Sequence, residues 1–175
     1  MFMDACVLYP TVLREILIGV AARGLYSPAW SPRVLEEWAR AAARLGPEGD
    51  AVARAEIAAL RDRFPGAEAH PRGADLARLH LPDPDDIHVL AAAIASGADA
   101  ICTFNARDFP RRTLAHEGLE RVDPDQLLRR LGPDPAIGDT VRSVHATAER
   151  LSGEDLPMRL LLKRARLPKL GKTLA

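Results

Sequence analysis

No stretch of this 175-residue chain holds the run of about 18 apolar residues that a membrane-spanning helix needs. A basic n-region is missing too. The chain opens Met1-Phe2-Met3-Asp4, which argues against a secretory leader. Cysteine is scarce: only Cys6 and Cys102 occur, each in an apolar, strand-like segment. Cysteine and histidine have no metal-type spacing, so a structural zinc site is not expected. Two buried free thiols in a cytoplasmic protein are. No Ser/His or Cys/His nucleophile pairing is visible, and there is no internal repeat or low-complexity segment. The formal net charge is zero, so the chain as a whole sends no strong nucleic-acid signal. Lysine is absent until the end: all three lysines lie within residues 156–175, which hold six basic side chains and no acid. That tail alone offers a charge pattern suited to phosphate.

What the chain does hold is an acid-rich segment followed by a buried strand, LPDPDDIHVLAAAIASGADAICTFNARDF, over residues 81–109. Asp83-Pro84-Asp85-Asp86 has the composition of a helix start: Asp83 as N-cap, Pro84 as the first helical residue, Asp86 as the acidic N3 partner. Direction separates these acids. At about 100° per residue, Ile87, Leu90, Ala93 and Ile94 define one apolar face, and Asp86 falls inside it while Asp85 points away. A carboxylate on the buried side needs a partner, and a cation is a natural one. Capping is the competing reading for Asp83 and Asp85. The helix is expected over 84–96 and a strand over Ala98–Thr103. Asn105 and Asp108 follow at the strand end, Asn105 also being suited to capping a short turn. His88 points off the apolar face and is expected at the surface.

Elsewhere the chain alternates strand and helix up to residue 131, the pattern of a parallel sheet wrapped by helices. MFMDACVL, residues 1–8, reads as a buried strand interrupted by Asp4; the alternative for Asp4 is a polar strand end that caps the next helix. A helix follows over 11–23, a short extended segment over 25–31, and a helix opened by Ser31-Pro32. In that helix Glu36 lies opposite the apolar face. Glu37 lies on its margin, as a cleft residue or an ordinary boundary glutamate. Gly46–Gly49 is expected as a turn, 50–63 as a helix, Ala67–His70 as a weak strand, 74–79 as a helical turn, and Leu119–Val122 as a last strand. Asp123 and Asp125 are read as structural. Gly132-Pro133-Asp134-Pro135 marks a boundary, which divides the chain into residues 1–131 and a helical extension, 132–175. Helices are expected there over 138–152 and 155–166, packed back on the domain with a basic rim, the alternatives being a phosphate contact or a dock for a protein partner.

With Asp4, SPRVLEEW, DPDDIHVLAAAIASGADAICTFNARDF and a closing strand in view, residues 1–131 resemble a PIN domain, and within that superfamily a VapC-type toxin ribonuclease. The resemblance implies a three-layer α/β/α sandwich with a five-stranded parallel sheet, here with a C-terminal helical extension. It implies acids at the carboxyl edge of the sheet holding Mg2+ or Mn2+: Asp4, Glu37, Asp86 and Asp108 as metal ligands, with Asn105 in the catalytic set where many members carry an acid. Asparagine still offers an oxygen to a hard cation but brings no charge. Thr103 is placed to orient water or a phosphate. The activity implied is metal-dependent hydrolysis of RNA, as the toxin of a type II toxin–antitoxin pair. The implied partners are an RNA substrate, a cognate antitoxin inserted into the acidic cleft and a second copy of the chain as a homodimer, with no membrane. Three other readings stand beside it: a housekeeping RNA-processing nuclease, a weak or inactive PIN-like module that binds RNA or protein, and, remotely, a phosphoacceptor domain.

Overall fold

A computed structural model describes residues 1–174. Its sheet is parallel and has three strands, β1 (Phe2–Met3), β2 (Ala100–Cys102) and β3 (Glu120–Val122), in the order β1-β2-β3. The expected five strands are therefore corrected to three. The two missing ones survive as single parallel bridges, Phe2 with Ala29 and Trp30 with Glu68. Pro28 and Pro32 bracket Ala29 and Trp30, and proline both lacks an N–H and fixes its backbone, so this segment cannot extend a ladder. Its few backbone bonds are nevertheless well formed, with Met3 N donating to Ala29 O at 2.7 Å and Ala69 N to Trp30 O at 2.8 Å.

The first strand is also shorter than expected. The chain leaves it at Asp4 and forms a short helix, α1 (Ala5–Leu8), so Cys6 is helical rather than extended. The further helices are α2 (Thr11–Ala21), α3 (Pro32–Ala43), α4 (Pro47–Arg63), α5 (Gly73–Arg78), α6 (Ile87–Ala95), α7 (Arg111–His116), α8 (Pro124–Arg130), α9 (Pro135–Ser152), α10 (Met158–Arg164) and α11 (Pro168–Leu174). Helix α3 starts as its sequence prescribes: the Ser31 hydroxyl accepts from Val34 N at 3.2 Å, with Pro32 next. Helix α4 begins at Pro47, inside the expected turn, because proline is equally suited to a first helical position. Pro84–Asp86 form a 3-10 turn, and α6 proper starts at Ile87.

Packing groups the chain into two units: residues 1–9 with 27–122, and residues 10–26 with 123–175. In the first unit the sheet and helix α6 form the core. Phe2, Met3, Leu90, Ala91, Ala92, Ile101 and Cys102 are all buried, and Trp30 meets the edge of the Phe64 ring at 6.0 Å between centroids. In the second unit α2 lies against α9. A Cβ at Gly19 would come within 2.6 Å of Thr140 Cγ2, so this approach requires glycine. Arg23 bonds both the Ala136 carbonyl and the Thr140 hydroxyl of α9. Asp123 caps α8, accepting from Gln126 N at 2.8 Å, and Asp125 is buried with its two oxygens accepting from Lys169 N and Leu170 N at the start of α11. Both were read as structural, and their bonds are of that kind. Among the described residues no helix is long and apolar enough to cross a membrane.

Candidate active site

The register of the sheet builds the site. Met3 lies opposite Cys102, so the next residue of each strand, Asp4 and Thr103, leaves the carboxyl edge side by side. Asp4 N donates to Cys102 O at 3.2 Å, and Thr103 N continues the ladder to Val122 O at 3.0 Å. Ligand sites in open parallel sheets lie beyond this edge.

Asp4 occupies the N-cap position of α1, yet its side chain makes no capping bond. Its Oδ2 instead accepts from the Thr103 hydroxyl at 2.6 Å and from the Cys6 thiol at 3.1 Å. The capping alternative for Asp4 thus fails. Thr103 is buried, donates to Asp4 and accepts from Asn105 N at 2.9 Å, so its hydroxyl is committed to the protein rather than set towards water or phosphate. Of the two thiols expected to be buried only Cys102 is; Cys6 is half-buried, and its partial burial, with the Asp4 charge beside it, pushes its thiol up to about 12.

Asn105 is the hub between the two acidic stretches. Its Nδ2 donates to Asp86 Oδ2 at 2.9 Å, and its Oδ1 accepts from Asp108 N at 3.4 Å. It therefore does cap a turn, and it also ties that turn to Asp86. Asp83, Asp86 and Asp108 each place a carboxylate oxygen within 4.8 Å of the other two. Burial raises the Asp86 carboxyl to about 6, helped by the charges of Asp4, Asp83 and Asp108 and opposed by His88. Asp85 stays apart and exposed, as expected. Asp83 caps the turn, accepting from Asp85 N at 2.9 Å, and its carboxylate also lies in the acidic group. In a 3-10 turn the residues are spaced by about 120°, so a wheel drawn at 100° misplaces Asp83 relative to Asp86.

Glu37 lies outside the three-carboxylate group. It is half-buried, with His88 Nε2 at 2.9 Å and Arg33 Nε at 3.2 Å from its Oε1. Burial alone would raise its carboxyl; His88 and Arg33 outweigh burial and hold it below the usual range. Glu36 pairs with Arg40 and Arg54 away from these residues. His88 was expected at the surface and is instead buried, at 4% exposure, with no partner for its Nδ1 among the described residues. Helix α6 is covered on nearly every side, because residues 88–93 are all buried, so a single apolar face could not reveal this.

Residues 1–107, more than half of the chain, match the family model described as PIN domain. The chain belongs to the PIN domain family. No curated protein and no solved structure matches it. PIN domains are generally nucleases that act on RNA and use divalent metal ions. The donor set of this PIN domain fits that chemistry. It is made of oxygen only, it gathers carboxylates that repel one another, and it is reachable because Asp83 is exposed while Asp86 and Asp108 are half-buried. Hard divalent cations favour such a set.

Proposed function

We propose that this PIN domain is a Mg2+- or Mn2+-dependent endoribonuclease and the toxin of a type II toxin–antitoxin pair. The observation that carries the nuclease reading is the grouping of the Asp83, Asp86 and Asp108 carboxylates, with Asp4 near enough for its charge to act on Asp86, whose carboxyl is raised first by burial and then by these charges. In this reading Asp86 and Asp108 hold the ion together with Asp83, while Asp4 and Glu37 complete the negative charge around it. Asn105 fixes the Asp86 oxygen that faces it, Thr103 fixes Asp4, and His88 with Arg33 fixes Glu37. A bound divalent ion supplies Lewis-acid stabilisation of the charge that develops on the attacking and leaving oxygens of a phosphodiester.

The toxin assignment rests on the resemblance of Asp4, SPRVLEEW, the 83–109 segment and the closing strand to VapC-type sequences. A cognate antitoxin that enters the acidic cleft, a homodimer and a cytoplasmic location go with it. The test is cleavage of total RNA by the purified chain with Mn2+, beside EDTA and Asp86→Asn controls. Discrete fragments that vanish in both controls support the reading. Absence of cleavage by folded, antitoxin-free protein refutes it. A short reading frame next to this one, whose product blocks cleavage, distinguishes a toxin from a housekeeping RNA-processing nuclease.

A second reading has one observation behind it. Asn105 brings no charge where many members carry an acid, and its amide is already bonded to Asp86. That arrangement favours a module that binds RNA or protein and cleaves weakly or not at all. It requires retained RNA binding with no fragments in either metal.

A further inference from the structure

We propose that the hairpin of α10 and α11 is a phosphate-backbone-binding surface for RNA, carried by Arg159, Lys163, Lys169 and Lys172. The proposal deepens the reading of this chain as an RNA-directed protein and rests on it. Nothing in the acidic site, however, is needed for the surface to bind.

The hairpin is a fixed scaffold. Its turn is a Schellman motif: Leu167 N donates to Leu162 O at 2.8 Å, and Arg166 N to Lys163 O at 3.1 Å. Arg166 takes the left-handed position of that motif, with φ 61°. A Cβ at Gly171 would meet Leu162 Cβ at 3.3 Å, so the two helices approach closely. Leu161, Leu162, Leu167 and Leu170 are buried, and Asp125 caps the start of α11. Packing therefore accounts for these four leucines, while Leu160 stays exposed.

Packing does not account for the cations. Arg159, Lys163, Arg164, Lys169 and Lys172 are all exposed, and no acid occurs in residues 156–174. Arg159 and Lys163 stand four residues apart on α10, and Lys169 and Lys172 three apart on α11, spacings at which like charges repel. Helix dipoles explain Lys163, Arg164 and Lys172, which lie in last turns. They do not explain Arg159 and Lys169, which lie in first turns, where positive charge is disfavoured. None of these five side chains forms an ion pair among the described residues. On α3 and α4, by contrast, Arg33, Arg40 and Arg54 are each matched by a glutamate or aspartate. A stretch of unneutralised cations held on a rigid hairpin suits a regularly spaced polyanion, and for an RNA-directed chain the polyanion at hand is the RNA backbone.

The test uses the full chain carrying Asp86→Asn, so that binding is read in EDTA without cleavage. Its ligand is a fluorescein-labelled 30-nucleotide RNA hairpin, followed by anisotropy across salt concentrations. The variant adds Arg159→Gln, Lys163→Gln, Lys169→Gln and Lys172→Gln. Each lost phosphate contact lowers the slope of log Kd against log salt by about 0.7–0.9, so four should lower it by about 3, with at least a tenfold weaker Kd at 150 mM salt. An unchanged thermal melt shows that the hairpin still folds. If it does not, Lys163→Gln with Lys172→Gln alone should lower the slope by about half as much. Equal slope and Kd in folded variant and parent overturn the proposal. Loss of poly-L-glutamate binding with RNA binding intact also overturns it, and marks the surface as a dock for an acidic protein. Retained, salt-sensitive RNA binding by a chain that proves unable to cleave sinks the nuclease reading and leaves this surface standing.

Discussion

Asp86→Asn separates the stability of the acidic site from its use. The Asp86 carboxyl stands at about 6 in the fold against an ordinary 3.8. The fold thus disfavours its charged form. The associated stability is fully present below the ordinary value and is lost as pH rises through about 6. At about 1.36 kcal/mol per pKa unit, the shift corresponds to about 3 kcal/mol. Asp86 is only half-buried, and solvent screening reduces this to about 1 kcal/mol. Asparagine carries no charge, and its amide oxygen still accepts from Asn105. The metal-free variant should therefore be the more stable protein at pH 7.5, by about 1 kcal/mol or some 2–4 °C in Tm. The difference should vanish at pH 4, where the parent carboxyl is largely protonated. Mn2+ should raise the Tm of the parent more than that of the variant, because only the parent keeps the full ligand set. Paired thermal melts in EDTA at both pH values, repeated with Mn2+, measure all of this. A variant less stable than the parent at pH 7.5, or a difference of equal size at pH 4, would refute the reasoning.

Other consequences follow from single contacts. Thr103→Val removes the 2.6 Å bond to Asp4 and leaves a buried carboxylate short of a donor; urea unfolding should show a loss of about 1.5–3 kcal/mol. Asp125→Ala uncaps α11 and should cost about 1–2 kcal/mol in the same assay. The Cys6 thiol, pushed up to about 12 from 9.0, exposes about a thousandfold less thiolate than an ordinary cysteine at pH 8. Native protein should thus resist iodoacetamide, and urea should release rapid alkylation, read by intact mass. His88→Ala leaves Glu37 with Arg33 alone and should lower RNA cleavage, with a smaller effect on RNA binding.

Legibility in the sequence followed the range of the forces involved. The helix opened by Ser31-Pro32 and the caps at Asp123 and Asp83 depend on neighbours within three residues, and all are present. The parallel sheet was legible as an alternation of elements. Its strand count was not, because Ala29 and Trp30 are held between prolines by only a few ladder bonds. Within the candidate site, Asp86 stood out from Asp85 by direction, and the structure keeps them apart in burial. His88 escaped because its partner Glu37 is 51 positions earlier in the chain, and the wheel of α6 holds no trace of α3. Asp83 stays open in the sequence, because a capping aspartate and one in an acidic group look the same there. Cys6 escaped because α1 begins at Ala5, just past Asp4 and sooner than the apolar run suggested.

The pairing of α2 with α9 gives the chain an order in time. Synthesis delivers residues 11–21 more than a hundred positions before their companion at 135–152. Until then the side of α2 around Gly19, which meets Thr140 of α9, lacks its companion, and surfaces left uncovered in this way are where nascent chains associate wrongly. A chain that stops at residue 131 keeps that face permanently without its companion. For this protein the last helices are therefore no detachable appendix: they close a segment laid down near the beginning.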